Sequence, residues 1–213
     1  MSSTLTNLRT SFGGDVIEPA DVEYDAASRT LLASCRPAYI LRPKSVEDVR
    51  AAVNLVAADG ISLAVRGGGH SFPGFGTNYG GAVIDLTHLS GVAVVDHAQH
   101  LVRVGGGATW GQVADALSPH GLAISSGDTR SVGVGGLTLG GGIGWKVRKH
   151  GLALDNLVAV ELVTAAGGLV RASTTEHPDL FWAIRGGGGN FGIVTAFEFR
   201  AHVTTEVFHG TNA

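Results

Sequence analysis

Apolar positions along this chain fall into short strand-like runs around one well-marked helical stripe. Ala38-Tyr39-Ile40-Leu41 predicts a strand that Arg42-Pro43 ends. Ser45 then offers an N-cap, with Glu47 and Asp48 in the first turn. Val46, Val49, Ala52, Val53 and Val56 recur at helical spacing, and Gly60 stands where a helix C-terminus favours glycine. Residues 61–65 predict the next strand, so 38–66 form a strand–helix–strand unit. Further strands are predicted at 82–85, 92–95 and 101–104, with a helix from Thr109 to about residue 117. A second half carries strands near 157–164 and 169–172, a short helix with Leu180, Phe181, Trp182 and Ile184, and a closing strand over 191–199. Residues 1–36 are weakly patterned and predict only a short helix and a loop.

Between these elements lie three glycine clusters. Val65-Arg66-Gly67-Gly68-Gly69-His70-Ser71 runs a strand straight into three glycines. Residues without Cβ can turn successive N–H groups inward, which suits a diphosphate, with Ser71 as a further donor. A tight turn needing positive φ is the simpler reading of the same residues. The tract from Gly133 to Gly144 has seven glycines in twelve positions, interleaved with aliphatics rather than with linker residues. It suits bare backbone packed against something flat, or a buried crossing of two elements. Gly187-Gly188-Gly189-Asn190-Phe191-Gly192 matches G-x-G-x-x-G in form only, because it follows a helix and precedes a strand.

Composition narrows the classes. Of 213 residues, 44% are apolar and 15% charged, enough for a core and outside the disordered range. The net charge of -3 and scattered Lys and Arg give no footprint for nucleic acid or an acidic membrane. One cysteine, Cys35, excludes an internal disulfide and fits a reducing compartment, so a soluble cytoplasmic protein is expected. No stretch has signal-peptide or membrane-span character. His97 and His100 lack partners at metal-ligand spacing, and no metal is expected. Motifs for a serine-hydrolase elbow or a nucleotide P-loop are absent.

Four stretches occur together and in order: Ile40-Leu41-Arg42-Pro43, residues 66–71, residues 132–144, and Asp179-Leu180-Phe181-Trp182-Ala183-Ile184-Arg185-Gly186-Gly187-Gly188. In this the chain resembles the FAD-binding (PCMH-type) domain of the berberine-bridge-enzyme-like oxidases of the vanillyl-alcohol-oxidase superfamily, over residues 38–205. The resemblance implies an α+β fold of two lobes, 38–122 and 123–205, with FAD between them, a lead-in over 1–37 and a tail over 206–213. It implies cofactor contacts from Arg66, Gly67, Gly68, Gly69, His70 and Ser71 on one side. Asp128, Thr129, Val132, Gly133, Gly136, Leu137, Gly140, Gly141, Gly142 and Gly144 would contribute from the other, with Val194 at the adenine end.

In the family, the histidine at the position of His70 is joined covalently to the flavin; simple hydrogen bonding is the alternative. Many relatives add a cysteine bond where this chain has Thr129, so attachment through His70 alone is implied. The implied activity is oxidation of an alcohol, sugar or amine carbon in a small-molecule substrate, with oxygen as final acceptor. Relatives also carry a substrate-binding domain that supplies the catalytic base. That domain is expected to be absent from residues 1–213, so no catalytic residue is named. A flavin module without turnover, or a subunit needing a separate substrate-binding chain, stays open beside the oxidase reading.

Overall fold

A computed structural model describes residues 12–204, and within them the apolar runs build two main sheets in a two-lobed α+β fold. The first sheet contains β1 (Asp15–Ile17), β2 (Tyr39–Arg42), β3 (Leu63–Arg66) and β4 (Ala82–Asp85), in the order β1-β2-β4-β3. β4 runs parallel to both β2 and β3, and β1 closes one edge antiparallel to β2. The expected strand–helix–strand unit is therefore present, with β4 inserted between its strands.

Successive strand residues point to opposite faces, and here both faces are covered. Tyr39, Leu41, Ala82 and Ile84 pack against Val49, Ala52, Val53 and Val56 of helix α2 (Val46–Asp59). Ile40, Ala64 and Val83 pack the other way, onto Ile17 and onto Tyr24 and Ala27 of the short helix α1 (Tyr24–Ala27). A sheet buried on both faces needs unbroken apolar runs, which residues 39–41 and 82–84 supply. The described part of the lead-in is thus integral to the first sheet. Tyr24 anchors it by donating its hydroxyl to Pro37 O at 2.6 Å. Residues 1–11 and 205–213 lie outside the described residues.

Helix α2 starts on a capping box. Ser45 Oγ accepts from Asp48 N, and Asp48 Oδ2 accepts from Ser45 N, both at 3.0 Å. Asp48 also accepts from Gly13 N and Lys44 N. Burial would raise its pKa, but these N–H donors outweigh burial and hold the carboxyl below its ordinary range.

The second sheet is antiparallel, in the order β5 (Val92–Asp96), β6 (Leu101–Gly105), β10 (Ile193–Arg200), β8 (Leu157–Val163), β9 (Leu169–Ser173). Its inner face presents Val102, Val104, Val160, Leu162, Phe197 and Phe199 to α3 (Trp110–Leu117) and to the later helix α5 (Pro178–Gly187). The outer face carries charge across the strands. Arg103 meets Glu161 in a two-pronged pair at 2.8 and 2.7 Å, and Arg171 meets Glu198 at 2.9 Å.

This pattern corrects the lobe boundary expected near residue 122. Strands β5 and β6 pair in the second sheet, because the alternation at 101–105 sends Arg103 outward to Glu161 and Val102 and Val104 inward. The chain crosses between sheets after β4. A two-stranded pair, β7 (Leu122–Ala123) with β11 (His202–Val203), closes the described chain.

Helix α2 joins the lobes. Val163 and Ile193 of the second sheet share its apolar cluster, and Arg50 Nε donates to Gly167 O at 2.8 Å in the turn between β8 and β9.

Candidate functional site

The three parallel strands end side by side, and their last residues form a row. Arg42 ends β2, Asp85 ends β4 and Arg66 ends β3. In parallel sheets the carboxyl ends of strands are where ligands are received. Asp85 Oδ2 accepts from Arg66 Nη2 at 2.8 Å and from Arg42 Nε at 3.1 Å. Arg66 Nη1 donates to Arg29 O at 3.1 Å. A polar cleft of about 360 Å³ lies here, lined by Arg42, Arg66, Gly67, Gly68, Gly69 and Asp85 among others. Arg66, one of the residues expected to contact the cofactor, lines this cleft, and its buried side chain is committed to Asp85 and Arg29.

From Arg66 the chain enters the first glycine loop. Gly69 has φ +69° and its carbonyl accepts from Leu31 N at 3.1 Å. The left-handed turn and the bare backbone are thus both present. Ser71 turns its hydroxyl to Phe75 N at 3.2 Å, and its carbonyl accepts from Gly74 N, so it closes the following turn. His70 follows Gly69 directly and is half-buried.

The start of the second glycine tract is tied by backbone pairing to residues 108–111. Trp110 N donates to Val132 O, Gly111 N to Arg130 O, and Val134 N to Ala108 O, at 2.8 to 3.0 Å. Thr109, which caps α3 through a box with Gln112, bridges to Gly133. Gly68 of the first loop and Gly133 meet backbone to backbone. A Cβ on either would stand 2.3 Å from the other's nitrogen.

Beyond Gly133 the tract forms helix α4 (Val134–Gly140), where the sequence predicts only bare backbone. Gly141 is buried and has φ +133°, whereas Gly136 and Gly140 lie one turn apart and are exposed, and a Cβ on either would meet nothing within 4 Å. Their bareness serves no packing among the described residues and leaves space for a ligand to lie on the helix. Gly142 and Gly144 are bare for internal reasons, since a Cβ would strike Ala153 and Leu137 or the carbonyl of Ser126. Leu137 is partly buried against the second core. Asp128 and Thr129 are exposed beside the tract, with Thr129 Oγ1 donating to Asp128 Oδ1 at 3.0 Å. Val194 is buried and its carbonyl lies against Gly106.

Next to residues 128–129 opens a larger, mostly apolar cleft of about 720 Å³, lined by Trp110, Val113, Leu117, Ile124, Trp145 and Lys146 among others. Burial, aided by Lys149, lowers the pKa of Lys146, whose ammonium donates to Thr204 Oγ1 at 2.8 Å. Close by, the rings of His150 and His202 stack at 3.8 Å, and His202 Nε2 lies 2.5 Å from Asn156 Oδ1. Among the described residues no group of His, Cys, Asp and Glu could hold a metal ion, and no helix is long and apolar enough to cross a membrane.

Sequence reasoning missed Arg42 and Asp85. Their signal is a charged residue ending each of two apolar parallel strands.

Comparison with known proteins bears directly on this site. A family model described as an FAD binding domain matches residues 37–173. The (R)-6-hydroxynicotine oxidase of Paenarthrobacter nicotinovorans is 39% identical over 194 residues, which are 90% of this chain and 42% of that protein. The structure of xylooligosaccharide oxidase from Myceliophthora thermophila with xylobiose superposes with a TM-score of 0.89 at 36% identity, covering 95% of this chain and 43% of that one. Glucooligosaccharide oxidase from Acremonium strictum, studied for its 6-S-cysteinyl, 8α-N1-histidyl FAD, gives 0.87 at 36% identity over 94% and 42%. The chain spans less than half the length of each.

Proposed function

Because the chain belongs to the FAD binding domain family, we propose that it is the cofactor-holding part of an FAD-dependent oxidase, with its two glycine loops gripping one cofactor. The observation that carries this reading is the meeting of Gly68 and Gly133 at the start of a helix whose Gly136 and Gly140 are open. The contact brings two sets of backbone N–H groups together, and the open glycines leave room for a flat, extended ligand. FAD, when bound, supplies the acceptor for a hydride from an alcohol, sugar or amine carbon and hands electrons on to oxygen.

The chain's own residues then divide the work. Gly67, Gly68, Gly69 and Ser71 hold the diphosphate from the first lobe, while Arg66 roots that loop from beneath. Gly133, Gly136, Leu137 and Gly140 to Gly142 lie along the diphosphate and ribityl chain, and Val194 offers backbone to the adenine. Asp128, Thr129, Val132 and Gly144 frame the ring end, next to the apolar cleft. His70 would hold the flavin covalently through a ring nitrogen, the imidazole N–H and one flavin methyl C–H giving up two protons while the two electrons pass through the flavin to oxygen. Thr129 has no thiol, so that bond stands alone, unlike the cysteinyl and histidyl pair of the Acremonium enzyme.

The test is spectroscopic. Purified protein supplied with FAD should be yellow, and acid precipitation should leave flavin on the polypeptide with the added mass of one FAD. A colourless protein after reconstitution would overturn the reading.

A further inference from the structure

The row at the carboxyl ends of β2, β4 and β3 has a built asymmetry. Two guanidinium groups share a single carboxylate, and the shared oxygen is Asp85 Oδ2. The side chains of Arg66 and Asp85 are only 7% and 6% exposed, against 26% for Arg42. Asp85 Oδ1 accepts from Thr87 N at 3.2 Å, so both carboxylate oxygens are engaged and the group is fixed in place. Arg66 in turn reaches Arg29 O, and two residues further on Leu31 N ties to Gly69 O. The loop at 67–69 is therefore pinned at its first end by the Arg66 side chain and at its last by the Gly69 carbonyl. Both pins end in the same segment, 29–31, and the first depends on Asp85.

We infer that Asp85 is the positioning residue of the first glycine loop. It acts through Arg66 to set the direction in which the N–H groups of Gly67, Gly68 and Gly69 point, and so the affinity for the anionic diphosphate of a dinucleotide cofactor. The inference rests on the reading that this loop receives the cofactor's diphosphate.

Two effects of Asp85 oppose each other, and the opposition makes the role testable. As a negative charge beside an anion site, Asp85 weakens binding by Coulomb repulsion. As the anchor of Arg66, it strengthens binding by holding the donors in place before the ligand arrives. If charge alone mattered, Asp85→Asn would tighten FAD binding. If positioning dominates, the same change loosens it, and Asp85→Glu, which restores the carboxylate, recovers much of the loss.

The experiment titrates FAD, and separately inorganic pyrophosphate, into wild-type protein, Asp85→Asn and Asp85→Glu at fixed ionic strength, with thermal melts alongside. Asp85→Asn should lose at least about tenfold in affinity, and Asp85→Glu should return to within a few-fold of wild type. Unchanged or tighter binding by a folded Asp85→Asn would overturn the inference. Breaking a buried pair by removing one partner can unfold a protein, whereas replacing both with apolar residues of similar volume often leaves it folded. The double variant Arg66→Met/Asp85→Leu is therefore the second arm; wild-type affinity in that folded variant would equally overturn the role. Amide exchange at residues 67–70 without ligand gives a readout independent of FAD. Asp85→Asn should speed exchange there about tenfold, and unchanged protection would count against Asp85 even if FAD proved not to be the ligand.

Discussion

Gly68 and Gly133 touch through their backbones, so that neither has room for a single methyl group. A Cβ on Gly68 would lie 2.3 Å from Gly133 N and 2.8 Å from Ser131 O. These obstacles are main chain on both sides, and no rotamer can relieve them. Gly68→Ala or Gly133→Ala is expected to part the two loops and to cost about 2 kcal/mol or more, with FAD retention lost alongside. Thermal melting and the flavin-to-protein absorbance ratio measure both; a variant with unchanged melting would remove the contact from the account.

Gly136→Ala should behave in the opposite way. A Cβ there meets nothing, and the residue sits inside a helix, where alanine is favoured over glycine by up to about 1 kcal/mol. The ligand-free variant should melt at or above the wild-type temperature. Its FAD affinity should fall, because the new methyl stands where the proposed cofactor lies. Higher stability with unchanged affinity would move the cofactor off this face.

His70→Ala should abolish the mass of FAD that survives denaturation while leaving the fold intact, since the side chain is half-buried and outside the apolar clusters. Adding Thr129→Cys to that variant tests the other attachment point. Mass spectrometry of the denatured chain reads both, and covalent FAD persisting in His70→Ala alone would refute the assignment.

Two pH windows follow from the shifted groups. Burial lowers the pKa values of His150 and His202 below 6.5, with Lys149 adding to the effect on His150 and its stacked partner adding to that on His202. The unfolded chain then binds protons more readily than the folded one as pH falls below 6.5, so stability is full above that value and declines through the depressed folded values. The melting temperature should be lower at about pH 5.5 than at about pH 7.5, and His202→Gln should flatten that slope. At lower pH Asp48 repeats the pattern. Its stabilisation is present above the unfolded value of 3.8 and is lost as pH drops through its depressed folded value. A slope unaffected by His202→Gln would exclude the histidine pair as its source.

Much of the fold was legible because burial leaves a local trace. The stripe from Val46 to Val56 and the caps Ser45 and Gly60 became α2, and the runs at 39–41 and 82–84 became strands covered on both faces. Strand pairing was less legible, because nothing local distinguishes a strand of the first sheet from one of the second. Arg103 belongs to the second through partners such as Glu161, 58 residues away. In the candidate site the glycines stood out, since each is a visible departure from ordinary composition. Asp85 did not, because its meaning lies in two arginines that only the sheet brings alongside. Arg66 was singled out for a ligand, but its pairing with Asp85 could not be read for the same reason.

Helix α2 has one more consequence. None of its residues lines the glycine loops, yet its apolar face is shared between Ile84 of one sheet and Ile193 of the other. The lobes therefore have no hinge between them in the thermodynamic sense, because neither can melt without exposing the wall it shares. Calorimetric unfolding should be a single cooperative transition, with both glycine loops lost in the same step.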